Sequence, residues 1–180
     1  TMSQNDIAKF KDTLQAEGKE IIVFFSQPFK ELKMSSNENI RKLYGELKNL
    51  ESSLLNSGKY IFIFKPHPQE FYYKEFNFKR VVEVIDLNLL VASSDVCVTI
   101  FSTMAIQSKV ALKKTIGYLP KYFSDEVLNQ MKPVFDATSD NVEGIFYLIN
   151  NTLKSKEQEF DLVSDLSIDT KTIVKEIIEI

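Results

Sequence analysis

The sequence predicts a doubly wound α/β domain, a parallel sheet with helices on both faces. Three observations carry that prediction. Short runs such as EIIVFF (20–25) and KYIFIF (59–64) are apolar at nearly every position, as strands buried on both faces are. Segments with helical apolar spacing alternate with them, and parallel strands need such crossovers. The 180 residues, 44% hydrophobic and 26% charged with 14 Phe and 7 Tyr, suit one domain over 1–180 with a sizeable core.

Taken in order, Ile7, Phe10 and Leu14 predict a helix over 3–17, stopped at Gly18. EIIVFF is the first strand, closed by Ser26-Gln27-Pro28. SSNE (35–38) has the form of a capping box and opens a helix through Ile40, Leu43, Leu47 and Leu54, ending near Gly58. KYIFIF is the second strand and RVVEVI (80–85) the third. Asp86 caps a short helix, LNLLVASS, before a fourth strand, DVCVTI (95–100). A helix from Ser102 to about Lys113 and a fifth strand, KTIGYL (114–119), follow. Then come a helix from Ser124, a short strand VFDA (134–137) and a helix from Asp140 to about Leu153. The polar stretch 154–169 is where the chain is expected to leave the main body, before an amphipathic terminal helix, TKTIVKEIIEI.

Composition excludes several functions. A net charge of −3 with scattered lysines argues against nucleic-acid binding. One Cys (Cys97) and one His (His67) allow neither a disulfide framework nor a zinc site, and point to a reducing compartment. No apolar run reaches the roughly 20 residues of a transmembrane segment. TMSQND is no signal peptide, and its Thr before Met reads as an expression remnant. There is neither GxGxxG nor a Walker motif, so no standard dinucleotide or P-loop site and no cofactor is expected.

Open α/β sheets bind ligands at the carboxyl ends of their strands, so the strand ends are where chemistry is sought. Three carry polar groups: Ser26-Gln27, Lys65-Pro66-His67-Pro68, and Thr99 followed by Ser102-Thr103. Prolines on both sides hold His67 in extended backbone, a loop that loses little entropy in fixing an imidazole. Ser102 and Thr103 open a helix, whose unpaired N–H groups favour phosphate. Alone, each has a plainer reading: Ser102 an N-cap, His67 a loop histidine bonded to backbone, Asp86 a cap, Gln107 a surface side chain. Lys65, if the strand alternates, points away from the site and acts only electrostatically.

Together, FKPHP (64–68) and DVCVTIFSTMAIQ (95–107) resemble the carboxy-terminal, nucleotide-binding half of GT-B glycosyltransferases, and more closely the bacterial sialyltransferases. His67-Pro68 is similar to their HP motif, and Ser102-Thr103 to their SS/ST motif. The resemblance, over roughly residues 20 to 118, implies a Rossmann-like domain, one half of a GT-B fold. It implies that His67 stabilises or protonates the departing CMP phosphate while Ser102 and Thr103 hold it. Pro68, Gln107, Asp86 and Ser26 would contact the nucleotide. The implied partners are a CMP-activated sugar, CMP-sialic acid first, and a glycan acceptor on a bacterial surface polysaccharide. The implied site of action is cytoplasmic, peripheral at the inner membrane for the full-length protein.

The same residues resemble CDP-glycerol and CDP-ribitol phosphotransferases and capsule glycosyltransferases. Those relatives carry Asp where Ile100 stands, Glu where Gln107 stands, and a Gly-Lys-Pro turn where Leu112-Lys113-Lys114 stands. Both groups release CMP, so cytidine is expected either way. The sialyltransferase base lies in an acidic D/E-D/E-G motif of an amino-terminal domain. Here Glu17-Gly18 follows Ala16 and reads as a helix cap. The expectation is therefore half an enzyme, inactive alone, whose amino-terminal acceptor domain lies outside this chain. The remaining alternatives are a non-catalytic nucleotide-binding module and a flavodoxin-like interaction domain.

Overall fold

A computed structural model of the chain describes residues 3–124, 128 and 132–165, with side chains described through residue 153. The chain divides into two compact units, 1–149 and 150–180. The first holds the sheet: β1 (Glu20–Phe25), β2 (Tyr60–Lys65), β3 (Val96–Thr99), β4 (Lys114–Tyr118) and β5 (Ala137–Ser139). All pairings are parallel, in the order β2-β1-β3-β4-β5. The helices are α1 (Gln4–Thr13), α2 (Asn37–Asn56), α3 (Leu87–Ser93), α4 (Met104–Val110) and α5 (Val142–Asp165). This is the α/β, Rossmann-like architecture that the apolar runs predict.

Burial explains the strands. Side chains alternate across a strand, so odd positions of β1 face one side and even positions the other. Ile21, Val23 and Phe25 join Ile61, Ile63 and Cys97 in a core cluster with Leu14, Leu90, Val91 and Met104. On the opposite face Phe24 stacks on Phe64, which stacks on Phe78 and meets Tyr44 of α2. Both faces are dry, hence the continuous apolar runs. Ser36 caps α2 by accepting from the Asn39 N–H at 3.1 Å, one residue later than the SSNE pattern predicts. Gly58, at φ +71°, closes that crossover in the left-handed region where glycine is unstrained.

Four expectations need correction. RVVEVI is not a strand: it makes one parallel bridge, Val81 to Phe64, at the outer edge of β2. The Phe64 N–H donates to the Arg80 carbonyl at 2.9 Å and the Val82 N–H to the Phe64 carbonyl at 3.1 Å. Pairing then stops, because the next ladder bond would need an N–H at residue 66 to donate to the Val82 carbonyl, and Pro66 has none. The last strand is Ala137–Ser139 rather than 134–137, with a 3-10 turn at Lys132–Val134 before it. The final helix does not end near Leu153 but continues to Asp165. The opening helix ends at Thr13, well before Gly18. Most of the helix expected from Ser124, and the terminal TKTIVKEIIEI, lie outside the described residues.

Candidate functional site

Strand register sets the site. Phe25 pairs with Lys65 on one side and with Thr99 on the other, so β2, β1 and β3 end on one level. Neighbouring strands lie about 4.8 Å apart, so the ends of β2 and β3 are roughly 10 Å apart. The connection from β1 leads outward to β2, whereas that into β3 returns to its other side. The order therefore reverses between β1 and β3, a topological switch point where two crossovers splay apart and leave a crevice. Thr99 fastens this point: its hydroxyl donates to the Phe25 carbonyl at 2.7 Å and accepts from the Ser102 N–H at 3.3 Å.

A cleft of about 730 Å³ opens there, within the size range of small-molecule sites. Ser26 and Gln27 line it from β1, Lys65 to Pro68 from β2, and Phe101 to Met104 with Gln107 from β3 and α4. Glu83, Val84, Ile85 and Leu87 complete the wall. Of the residues singled out in the sequence, His67, Pro68, Ser102, Thr103, Gln107 and Ser26 thus share one cavity. Asp86 does not line it. Its carboxylate caps α3, accepting from the Asn88 N–H at 2.8 Å, while its neighbours Ile85 and Leu87 face the cleft.

Local bonds define the candidate groups. His67 is half-buried, and its Nδ1 accepts from the Gln69 N–H at 3.2 Å, which leaves the hydrogen of the neutral ring on Nε2. Ser102 is buried and its hydroxyl oxygen accepts from the Met104 N–H at 3.2 Å. Thr103 and Gln107 are exposed. Lys65 departs from the expectation that it points away. As an odd residue of β2 it shares the face of Ile61 and Ile63, which is the cleft side. It is buried, and its Nζ donates to the Pro66 and Glu83 carbonyls at 2.7 and 3.1 Å. Burial lowers its pKa, against the opposing pull of Glu70 and Glu83.

Sequence reasoning overlooked Glu70. Its carboxylate is 2% exposed and accepts from three elements at once: the Ser26 hydroxyl at 2.8 Å, the Tyr44 hydroxyl of α2, and the His67 N–H at 3.0 Å. Burial pushes this carboxyl up to about 7, against the three donors that favour its charge. Burial and the nearby Glu70 likewise raise the Tyr44 phenol above its ordinary range. The available signal was spacing: in HPQE the carboxylate can turn back on the His67 N–H three residues before it, as the Glu of a capping box does.

The cleft offers O–H donors, an imidazole N–H and a buried ammonium, groups that together suit an anionic ligand with polar substituents. Fold and cleft define the class, a Rossmann-like α/β domain with a site at its switch point. No family model and no curated protein matches the chain. Solved structures do resemble it. A variant of the wall teichoic acid polymerase TagF matches at 15% identity and TM-score 0.59, over 97% of this chain and 46% of that one. A TagF structure soaked with CDPG matches at 13% and 0.55, over 86% and 38%. The C-terminal CMP-Kdo binding domain of WaaA from Acinetobacter baumannii matches at 14% and 0.58, over 89% and 93%. The chain thus spans less than half of the TagF chains. At such identities the likeness is one of fold.

Proposed function

We propose that this chain is the nucleotide-binding domain of a glycosyltransferase and takes a CMP-activated sugar, CMP-sialic acid first among the candidates. The carrying observation is the cleft: His67 from the end of β2 and Ser102 from the end of β3 line one cavity with Ser26 between them. In this reading the CMP phosphate lies across the switch point and accepts from His67 Nε2 and from the Ser102 and Thr103 hydroxyls. As the glycosidic C–O bond breaks, negative charge grows on the phosphate oxygens. Donors already aimed at those oxygens lower the barrier, and a proton transfer there is typically worth ~10²–10⁴-fold. Gln107 and Pro68 are assigned to the nucleoside, and Lys65 to the anionic field of the site. The acceptor hydroxyl and its general base belong to an amino-terminal domain of the same enzyme, so transfer to a bacterial surface glycan needs both halves.

A second reading has a specific observation behind it. The TagF structure soaked with CDPG and the WaaA domain, named for CMP-Kdo, share a cytidine nucleotide, which supports cytidine without choosing a sugar or a glycerol. A CDP-glycerol donor would use the same phosphate groups.

NMR titration of the 180-residue chain with CMP, UMP and AMP tests the reading. Expected are shifts clustered at His67, Ser26 and Ser102, strongest for CMP, with affinity nearer millimolar than micromolar because one domain encloses only part of the ligand. Equal shifts for all three nucleotides would reduce the site to a generic phosphate cleft.

A further inference from the structure

Ser26 occupies two environments. It lines the cleft, and its hydroxyl donates inward to the Glu70 carboxylate. A hydroxyl has a single hydrogen, so while that hydrogen points at Glu70 only lone pairs of Ser26 face the cavity. An anion in the cleft would meet those lone pairs unfavourably. Glu70 is placed to change this. Its Oε1 accepts from two hydroxyls, Ser26 and Tyr44, and its Oε2 from the His67 N–H, which can only donate. A proton added to Glu70 therefore belongs on Oε1, where its partners can turn into acceptors. Tyr44 is fully buried, whereas Ser26 has the cleft to turn towards.

We propose that Ser26 and Glu70 form a proton-linked pair: an anionic ligand draws the Ser26 hydroxyl hydrogen outward, and Glu70 takes up one proton from solvent to replace it. The balance is simple. Glu70 carboxylate becomes carboxylic acid, its O–H donates to Ser26 Oγ, and the Ser26 O–H donates to a ligand oxygen; no covalent bond to the ligand forms or breaks. Glu70 is thereby a positioning residue that acts through Ser26 and, through the His67 N–H, on the proline-flanked loop. The groups around it are Tyr44 on α2, Glu31 on the β1–α2 connection, Lys65 at the end of β2, Tyr73 on the 3-10 turn Tyr72–Phe76, and His67. Glu31 favours the protonated carboxyl, while Tyr44, Ser26 and the His67 N–H favour the ionised one. The ordinary position of this balance, about 7, leaves both forms populated near neutrality.

The inference rests on the cleft's taking a phosphate-bearing nucleotide, and the experiment separates the two claims. CDP-glycerol is the probe, because its diphosphate diester keeps constant charge across the range. The Glu70 side-chain carboxyl carbon is followed by 13C NMR from pH 5 to 9, with and without probe. Expected is a ligand-induced rise of the Glu70 midpoint by about one pH unit, a tenfold linkage, with binding weakening as pH rises through the midpoint. In Ser26→Ala the rise should fall by at least half, leaving only direct charge repulsion. In Glu70→Gln, where no proton can be taken up, the pH dependence of binding should flatten correspondingly, which serves as the measurement if Ser26→Ala does not fold. An undiminished rise in folded Ser26→Ala, or cleft shifts on binding with no movement of the Glu70 midpoint, overturns the proton link and leaves the nucleotide site standing. Absence of any cleft shift at millimolar probe overturns the nucleotide reading, and the link with it.

Discussion

Ser102 shows how a residue can serve structure and ligand together. Its oxygen accepts from the Met104 N–H, which directs its own hydrogen elsewhere. On the proposed mechanism Ser102→Ala should weaken CMP binding by about 1–3 kcal/mol, the worth of a hydrogen bond to a charged group. It should also cost about 1 kcal/mol of stability through the lost turn bond. Isothermal titration alongside thermal unfolding separates the two, and unchanged affinity with lowered Tm would leave Ser102 purely structural. His67→Ala, in an enzyme carrying both domains, should lower kcat by ~10²-fold or more while folding normally; a variant that turns over like wild type would make His67 structural. These residues were legible because proline, hydroxyl and imidazole stood out at strand ends. Glu70, and the burial of Lys65 on the cleft side, were not, since Glu and Lys are surface residues by default. Only the meeting of α2, the end of β1 and the His67 loop makes a buried carboxylate tolerable. Because its pKa is raised, the folded chain holds a proton between the ordinary carboxyl value and about 7 that the unfolded chain has released. This carboxyl therefore favours folding most at low pH and progressively less as pH rises through that window.

At the scale of elements, strands buried on both faces announced themselves, while the edge did not. RVVEVI has a strand's composition, yet Val84 is 94% exposed and Glu83 gives its carbonyl to Lys65. Periodicity reports what a run could bury, not whether a neighbour remains to pair with. β5 begins late, at Ala137–Ser139, because the 3-10 turn takes up Lys132–Val134 and the chain joins β4 only where the Asp136 N–H donates to the Thr115 carbonyl at 2.9 Å. Gly117 in β4 reveals a close approach that sequence alone could not: a Cβ there would lie 2.4–2.8 Å from the ring of Phe135. Gly117→Ala should force that ring aside and destabilise the sheet by about 1–3 kcal/mol. Denaturant unfolding measures it, and an unchanged midpoint would mean that Phe135 gives way freely.

The whole molecule joins these scales through one topological fact. Parallel strands in the order β2-β1-β3-β4-β5 reverse direction of growth between β1 and β3, and every chemically suggestive residue but Asp86 stands beside that reversal. The sequence carried the strand ends and their polar residues. It could not carry register, which alone brings Lys65, Phe25 and Thr99 level and turns three separate loops into one cleft. The central claim is that this cleft seats a cytidine nucleotide with its phosphate between His67 and Ser102. A crystal structure of the chain soaked with CMP tests it most directly. Phosphate oxygens are expected within hydrogen-bond distance of His67 Nε2 and the Ser102 hydroxyl, over the ends of β1 and β3. CMP ordered elsewhere, or a cleft empty of CMP at saturating millimolar soak, would contradict it.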